Sequence, residues 1–154
     1  MDPMSARILA IDYGSKRIGL AISDALGITA QGLLTLARTR LADDLRHIHD
    51  LVEEHGASRV IVGNPVSHAG GETSMSRQVA SFVEKLQRRL ACPVELWDER
   101  LTTAEASRVL RESGIGIEKR RRARDRVAAT LLLQSYLDYQ ANERARSREG
   151  ETRE

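Results

Sequence analysis

Residues 8–11, Ile-Leu-Ala-Ile, form a continuous apolar run that stops abruptly at Asp12, and this stop constrains the chain more than any other feature. Such a run reads as a strand buried on both faces. Tyr13-Gly14-Ser15-Lys16 then supplies turn chemistry, with Gly14 free to take a positive φ, and residues 18–22 resume as a second apolar strand. The pair predicts a hairpin. A carboxylate at the end of a buried strand is costly to desolvate unless a cation or hydrogen-bond donors meet it. Asp12 therefore either has such a partner or caps its own turn through the amide of Gly14 or Ser15. This stretch alone supports both readings, and other carboxylates must separate them.

Composition sets the frame for that choice. A chain of 154 residues makes one domain and one core, here expected over residues 1–142. A formal charge of +2 is too small to mark a polyanion partner by itself, so the placement of charge must decide. Cys92 is the sole cysteine, which excludes an internal disulfide and cysteine-based zinc spacing and fits a reducing cytoplasm. No apolar run approaches the ~20 residues of a membrane span, and Met1-Asp2-Pro3-Met4-Ser5 is not the basic start of a signal peptide. A soluble, cytoplasmic protein is expected.

Further along, residues 28–36 read as a third, weaker strand that closes an antiparallel meander at a sheet edge, with Gly32 inside it. Leu41, Leu45, Ile48, Leu51 and Val52 recur at helical spacing until Gly56 stops the run. His47 and His49 face different sides of that helix, poor geometry for a shared metal, and are read as solvated. Residues 59–63 form a strand after a helix, which implies a parallel crossover and a mixed sheet. A glycine loop, Gly70-Gly71, leads into a helix over 75–90 striped by Val79, Phe82, Val83, Leu86 and Leu90. The loop lacks a Gly-Lys-Ser/Thr ending, so it is a weak nucleotide site; a substrate-facing loop, an ordinary connector and a proton-shuttling His68 all stay open.

Residues 93–97 form a fifth strand that again ends in carboxylates, Asp98 and Glu99, followed by a Thr102-x-x-Glu105 capping box and a helix ending at Gly114. Asp98 and Glu99 point to opposite sides of a strand end, so only one can share a site with Asp12. A surface turn held by exposed ion pairs is the plain alternative. Basic residues then concentrate at Lys119, Arg120, Arg121, Arg122, Arg124 and Arg126, ahead of a helix expected over 127–142. Asp125 sits in the first turn of that helix, where it either caps the backbone or, aligned with Ala128, Ala129 and Leu132, approaches the sheet. Residues 143–154 are charged without an apolar stripe and read as a disordered tail.

With these segments in place, the chain resembles a known family. Asp12 within Ile-Asp-Tyr-Gly-Ser-Lys-Arg-Ile-Gly-Leu-Ala, the Val-Gly-Asn-Pro segment 62–65, Asp98-Glu99-Arg100-Leu101-Thr102-Thr103, and Asp125 with Ala128-Ala129 look like the YqgF-type family of Holliday-junction resolvases. The likeness spans residues 7 to about 139, and Asn64 stands where the family more often has leucine. It implies an α/β, ribonuclease-H-like fold: a five-stranded mixed sheet in the order 3-2-1-4-5, flanked by helices. It also implies that Asp12, Glu99 and Asp125 are catalytic and bind divalent metal. The activity implied is maturation of the small-subunit ribosomal RNA precursor or resolution of branched DNA, leaving 5′-phosphate and 3′-hydroxyl ends.

The residue types suit that chemistry. Phosphodiester hydrolysis needs an activated water and a stabilised leaving oxygen, and two cations ~4 Å apart bridged by a carboxylate supply both. Oxygen ligands without His or Cys favour Mg2+ or Mn2+. Asp12 is assigned as the bridging ligand, Glu99 and Asp125 as flanking ligands, and Lys16, Arg17 and Arg100 as phosphate contacts. The run Lys119, Arg120, Arg121, Arg122 and Arg124 is assigned to nucleic-acid binding, against the plain reading of a solvated turn. Two other classes stay open: an actin-like ATP-binding domain, which would need a second such domain or a dimer, and a catalytically silent RNA-binding module.

Overall fold

The computed structural model describes residues 6–65, 70–98 and 117–152, with side chains described in the last segment over 127–150. Strands β1 (Ile8–Tyr13), β2 (Arg17–Ser23) and β3 (Ala30–Ala37) form the expected antiparallel meander. Helix α1 (Leu41–His55) crosses to β4 (Arg59–Asn64), which pairs parallel with β1. Helix α2 (Ser74–Arg89) crosses to β5 (Val94–Asp98), parallel to β4, and α3 (Ile117–Thr152) follows. The sheet order is β3-β2-β1-β4-β5, so β1 lies at the centre and β3 at an edge.

Sequence explains most of these elements locally. Gly32 marks a bulge: the β2–β3 register slips between Leu20 and Ala21, the place where a side-chain-free residue in a strand is useful. Gly56 ends α1 in the left-handed region at φ 62°, where any other residue would be strained. Thr73 and Ser76 close a capping box at the start of α2, each side chain bonding the other's backbone amide. Gly14 corrects an expectation, because its φ is not positive. A Cβ there would lie 2.5 Å from the carbonyl oxygen of Arg17, so the hairpin needs glycine for close approach and not for handedness.

The sheet separates two apolar layers. On one face Leu9, Ile11, Ile18, Leu20, Val60 and Val62 pack against Leu45, Ile48 and Val52 of α1 and Val79, Phe82 and Leu86 of α2. On the other, Ala10, Ala21 and Ile61 pack against Ala129, Leu132, Leu133, Tyr136 and Leu137 of α3. Small residues on the strands let α3 approach closely, and each buried leucine contributes about 1.5–3 kcal/mol.

Helix α3 departs from expectation at both ends. It begins at Ile117 and runs to Thr152, so the basic run and most of the expected tail are helical. Arg, Lys, Glu and Ala are strong helix formers, and a Glu143–Arg146 pair at 3.4 Å supports the exposed extension. Charge density without an apolar stripe is compatible with a solvated helix as well as with disorder. The helix expected between Thr102 and Gly114, together with His68, Glu99 and Arg100, lies outside the described residues. No described helix is long and apolar enough to cross a membrane.

Candidate active site at the end of the central strand

Strand alternation decides which side chains meet at the end of β1. Ile8 and Ala10 face α3, so Asp12, two residues on, belongs to the same face, whereas Tyr13 packs with the α1/α2 layer. Across the hairpin Asp12 is paired with Gly19. On its other side β4 supplies Gly63, one residue beyond the Ile11–Val62 pair, and Gly63 is paired with Trp97 of β5. The row Gly19, Asp12, Gly63, Trp97 thus crosses the sheet on the α3 face, with the carboxylate flanked by two residues that have no side chain. Neither neighbouring strand position therefore places a side chain directly beside the acid at the strand end. Isolated glycines in apolar strands are the available sequence signal, since they mark close approach of another group.

Trp97 fixes the parity of β5. Its indole N–H donates to Ser135 Oγ at 2.9 Å and its ring meets Tyr136 edge-on at 5.1 Å, both on α3. Asp98, paired with Asn64, therefore belongs to the opposite face and does not share a site with Asp12. Arg17 alternates with Ile18 and Gly19 so as to lie on the Asp12 face, diagonal to that acid, at a spacing of about 7–8 Å between such positions. Lys16 is exposed in the turn, where its carbonyl accepts the Arg38 amide at 2.9 Å. Position 125 lies in α3 one turn before Ala129. Lys119, Arg120, Arg121, Arg122 and Arg124 belong to the same N-terminal turns of α3.

Elsewhere the described residues form supporting contacts. Arg59 Nη1 donates to the Tyr136 hydroxyl at 2.6 Å and pairs with Glu95 at 3.1 Å, tying α3 to the start of β4 and to β5. That hydrogen bond, more than the charge of Glu95, raises the Arg59 pKa above its ordinary value. Burial pushes the Cys92 thiol up. Near the glycine loop the Thr73 hydroxyl donates to the Pro65 carbonyl at 2.8 Å, and the Thr73 and Ser76 amides are used within the cap. His47 is exposed, and His49 lies 3.4 Å from Asp50 on the α1 surface. Among the described residues no three His, Cys, Asp or Glu side chains form a metal cluster, and Asp12 is the member of the expected acid set whose side chain is described.

A mixed sheet in this order, with a carboxylate at the end of its central strand and helices on both faces, defines the ribonuclease-H-like class. Fowlpox virus Holliday junction resolvase superposes with a TM-score of 0.52 at 15% identity, covering 86% of this chain and 98% of that one. Its complex with substrate Holliday junction DNA gives 0.55 at 14% identity, covering 86% and 97%. Within that class, residues 6–139 match the model of the RuvX family, described as Holliday junction resolvase, and the chain belongs to this family. Its relatives include proteins named "Putative pre-16S rRNA nuclease". The one from Koribacter versatilis is 46% identical over 132 residues, covering 86% of each chain. The one from Halothermothrix orenii is 43% identical over 134 residues, covering 87% of this chain and 96% of the relative. The one from Heliobacterium modesticaldum is 38% identical over 148 residues, covering 96% and 99%.

Proposed function

We propose that this protein is a metal-dependent nuclease that hydrolyses phosphodiester bonds of structured nucleic acid in the cytoplasm, in maturation of the small-subunit ribosomal RNA precursor. The observation that carries the reading is the glycine-flanked carboxylate of Asp12 on the α3 face of the central strand. Family membership and the names of the relatives support it. With Asp98 directed to the other face, Glu99 is the acid proposed to join Asp12 from β5, and Asp125 is proposed from α3. About 16 Å of helix separates position 125 from Tyr136, which bonds Arg59 beside the start of β1. The rise along β1 from Ile8 to Asp12 is about 13 Å, so a helix antiparallel to β1 would bring both acids to one end of the sheet.

An all-carboxylate set suits two hard cations, Mg2+ or Mn2+, rather than zinc. When bound, such ions supply Lewis-acid activation of water and charge stabilisation of the leaving oxygen. The chain itself contributes the rest. Asp12 holds its position because β1 is hydrogen-bonded on both sides, Arg17 and Arg100 steer phosphate, and the basic turns of α3 draw the strand toward Asp125. Branched DNA is the second substrate, favoured by the family's description. The test is to incubate pure protein with ribosomal precursor RNA, four-way DNA and ATP, each with magnesium or manganese. Metal-dependent cleavage of the RNA is expected. Hydrolysis of ATP with both nucleic acids intact would overturn the reading.

A further inference from the structure

The face of the sheet turned away from Asp12 carries a second basic feature. Two adjoining cavities of about 400 and 280 Å³ lie along α1 and α2 and share Leu41 and Lys85. The first is lined by Tyr13, Arg38, Arg77 and Lys85 with Ser74, Gln78 and Ser81, the second by Lys85, Arg88 and Arg89 beside Leu41 and Leu45. Among the described residues no carboxylate lines either one. Positions 77, 81, 85, 88 and 89 recur at helical spacing, so they form one stripe of α2 beside the apolar stripe that faces the core. From Arg77 to Arg89 this stripe is about 18 Å long. That length is on the scale of a few successive phosphates of one strand.

One of these cations is held in place. Arg38 lies 4.7 Å from the Tyr13 ring centre, donates through Nη1 to the Tyr13 hydroxyl at 2.7 Å, and pairs through Nε with buried Asp44 at 3.5 Å. The pairs on α2 are of another kind. Glu72 lies 3.6 Å from Arg77 and Glu84 lies 2.9 Å from Arg88, all four side chains largely exposed. Such pairs are worth little and exchange readily for phosphate. Lys85 and Arg89 make no ion pair among the described residues.

We propose that this α1/α2 groove binds the phosphodiester backbone of a second arm of nucleic acid, on the side of the sheet opposite Asp12. The inference rests on the nuclease reading and deepens it. Tyr13 packs on Phe82 at 4.8 Å while Asp12, its neighbour, faces α3, so the groove and the acid sit on opposite faces at one end of β1. A straight duplex passing Asp12 does not enter the groove; a branched or folded substrate whose arms diverge around the sheet end engages both. The groove therefore selects substrates by shape.

The test is binding of a three-way-junction RNA, followed by fluorescence anisotropy across a salt series with divalent metal withheld. The triple variant Lys85→Ala, Arg88→Ala, Arg89→Ala changes only exposed residues. It should bind the junction at least tenfold more weakly, with a salt slope lower by about 2 log units because three phosphates are no longer neutralised. Binding of a straight duplex of the same length, which engages one face at a time, should weaken less than binding of the junction. If wild type binds the junction and the triple variant matches it in affinity and slope, the groove is a solvated helix face and the inference fails while the nuclease reading stands. If wild type binds no nucleic acid, both fail. Lys85→Glu, a single exposed change, should weaken junction binding several-fold; no effect would likewise count against the groove.

Discussion

Replacing Asp44 by Ala should destabilise the fold by about 3 kcal/mol, at the lower end of the cost of breaking a buried charge pair. Asp44 is 2% exposed although it stands in the first turn of α1. The preceding residue Arg40 makes no side-chain cap, and the Asp44 carboxylate takes over that role for the chain entering the helix. It accepts the Thr39 amide at 3.1 Å and the Thr39 hydroxyl at 3.0 Å, and pairs with Arg38 at 3.5 Å. Hydrogen bonds to a charged acceptor are worth about 1.5–3 kcal/mol each, but these three share one carboxylate and do not add. Arg38 remains 19% exposed, so water recovers part of its loss. For a chain of this size each kcal/mol shifts Tm by about 2–4 °C, so thermal unfolding should fall by about 6–12 °C. Asp44→Asn, which keeps an acceptor for the Thr39 amide and loses the charge, should fall by about half as much. A double-mutant cycle with Arg38→Ala should show coupling of about 1 kcal/mol. A Tm change below about 2 °C in Asp44→Ala would refute the role given to this network.

Gly14→Ala must displace the Arg17 carbonyl, since its Cβ would sit 2.5 Å away; a loss of about 1–3 kcal/mol in chemical denaturation is expected, with impaired cleavage because Asp12 and Arg17 flank the turn. Asp24 accepts the Ile28 and Thr29 amides at 2.7 and 3.1 Å, bonds that hold its pKa below the ordinary 3.8. Its stabilising contribution is therefore present above pH 3.8 and is lost as pH falls through the lower folded-state value, so Asp24→Asn should be less stable than wild type at neutral pH and converge with it in acid melts. Arg120→Ala, Arg121→Ala and Arg122→Ala together should weaken binding to RNA and DNA of all sequences and lower the salt slope by about 0.7–0.9 for each phosphate left without its arginine; an unchanged slope would make this part of α3 a solvated helix face.

How far the sequence reveals the fold depends on where the determining information resides. The strands and α1 are legible because apolar periodicity is local and glycines such as Gly56 punctuate it. The length of α3 is not legible, because a run of Arg, Lys, Glu and Ala has the same composition in an exposed helix as in a disordered tail. Gly14 shows a subtler limit: its necessity is visible, but close approach to Arg17 is a tertiary contact that imitates a φ requirement. At the site, alternation indicates that Asp98 and Glu99 diverge, but only the packing of Trp97 on Tyr136 shows which face Asp98 takes. The Gly19–Asp12–Gly63 row depends on strand register, and the α1/α2 groove on the approach of two helices, neither of which a single sequence encodes in any one window.

The most direct test of the nuclease reading is cleavage of precursor RNA by Asp12→Asn in magnesium, with thermal unfolding measured on the same preparation. Asparagine preserves shape and removes the charge that a divalent ion needs, while relieving repulsion among the proposed acids. Activity should fall to background and Tm should stay the same or rise. Cleavage at the wild-type rate by a folded Asp12→Asn protein would contradict the assignment of this carboxylate as the centre of the site.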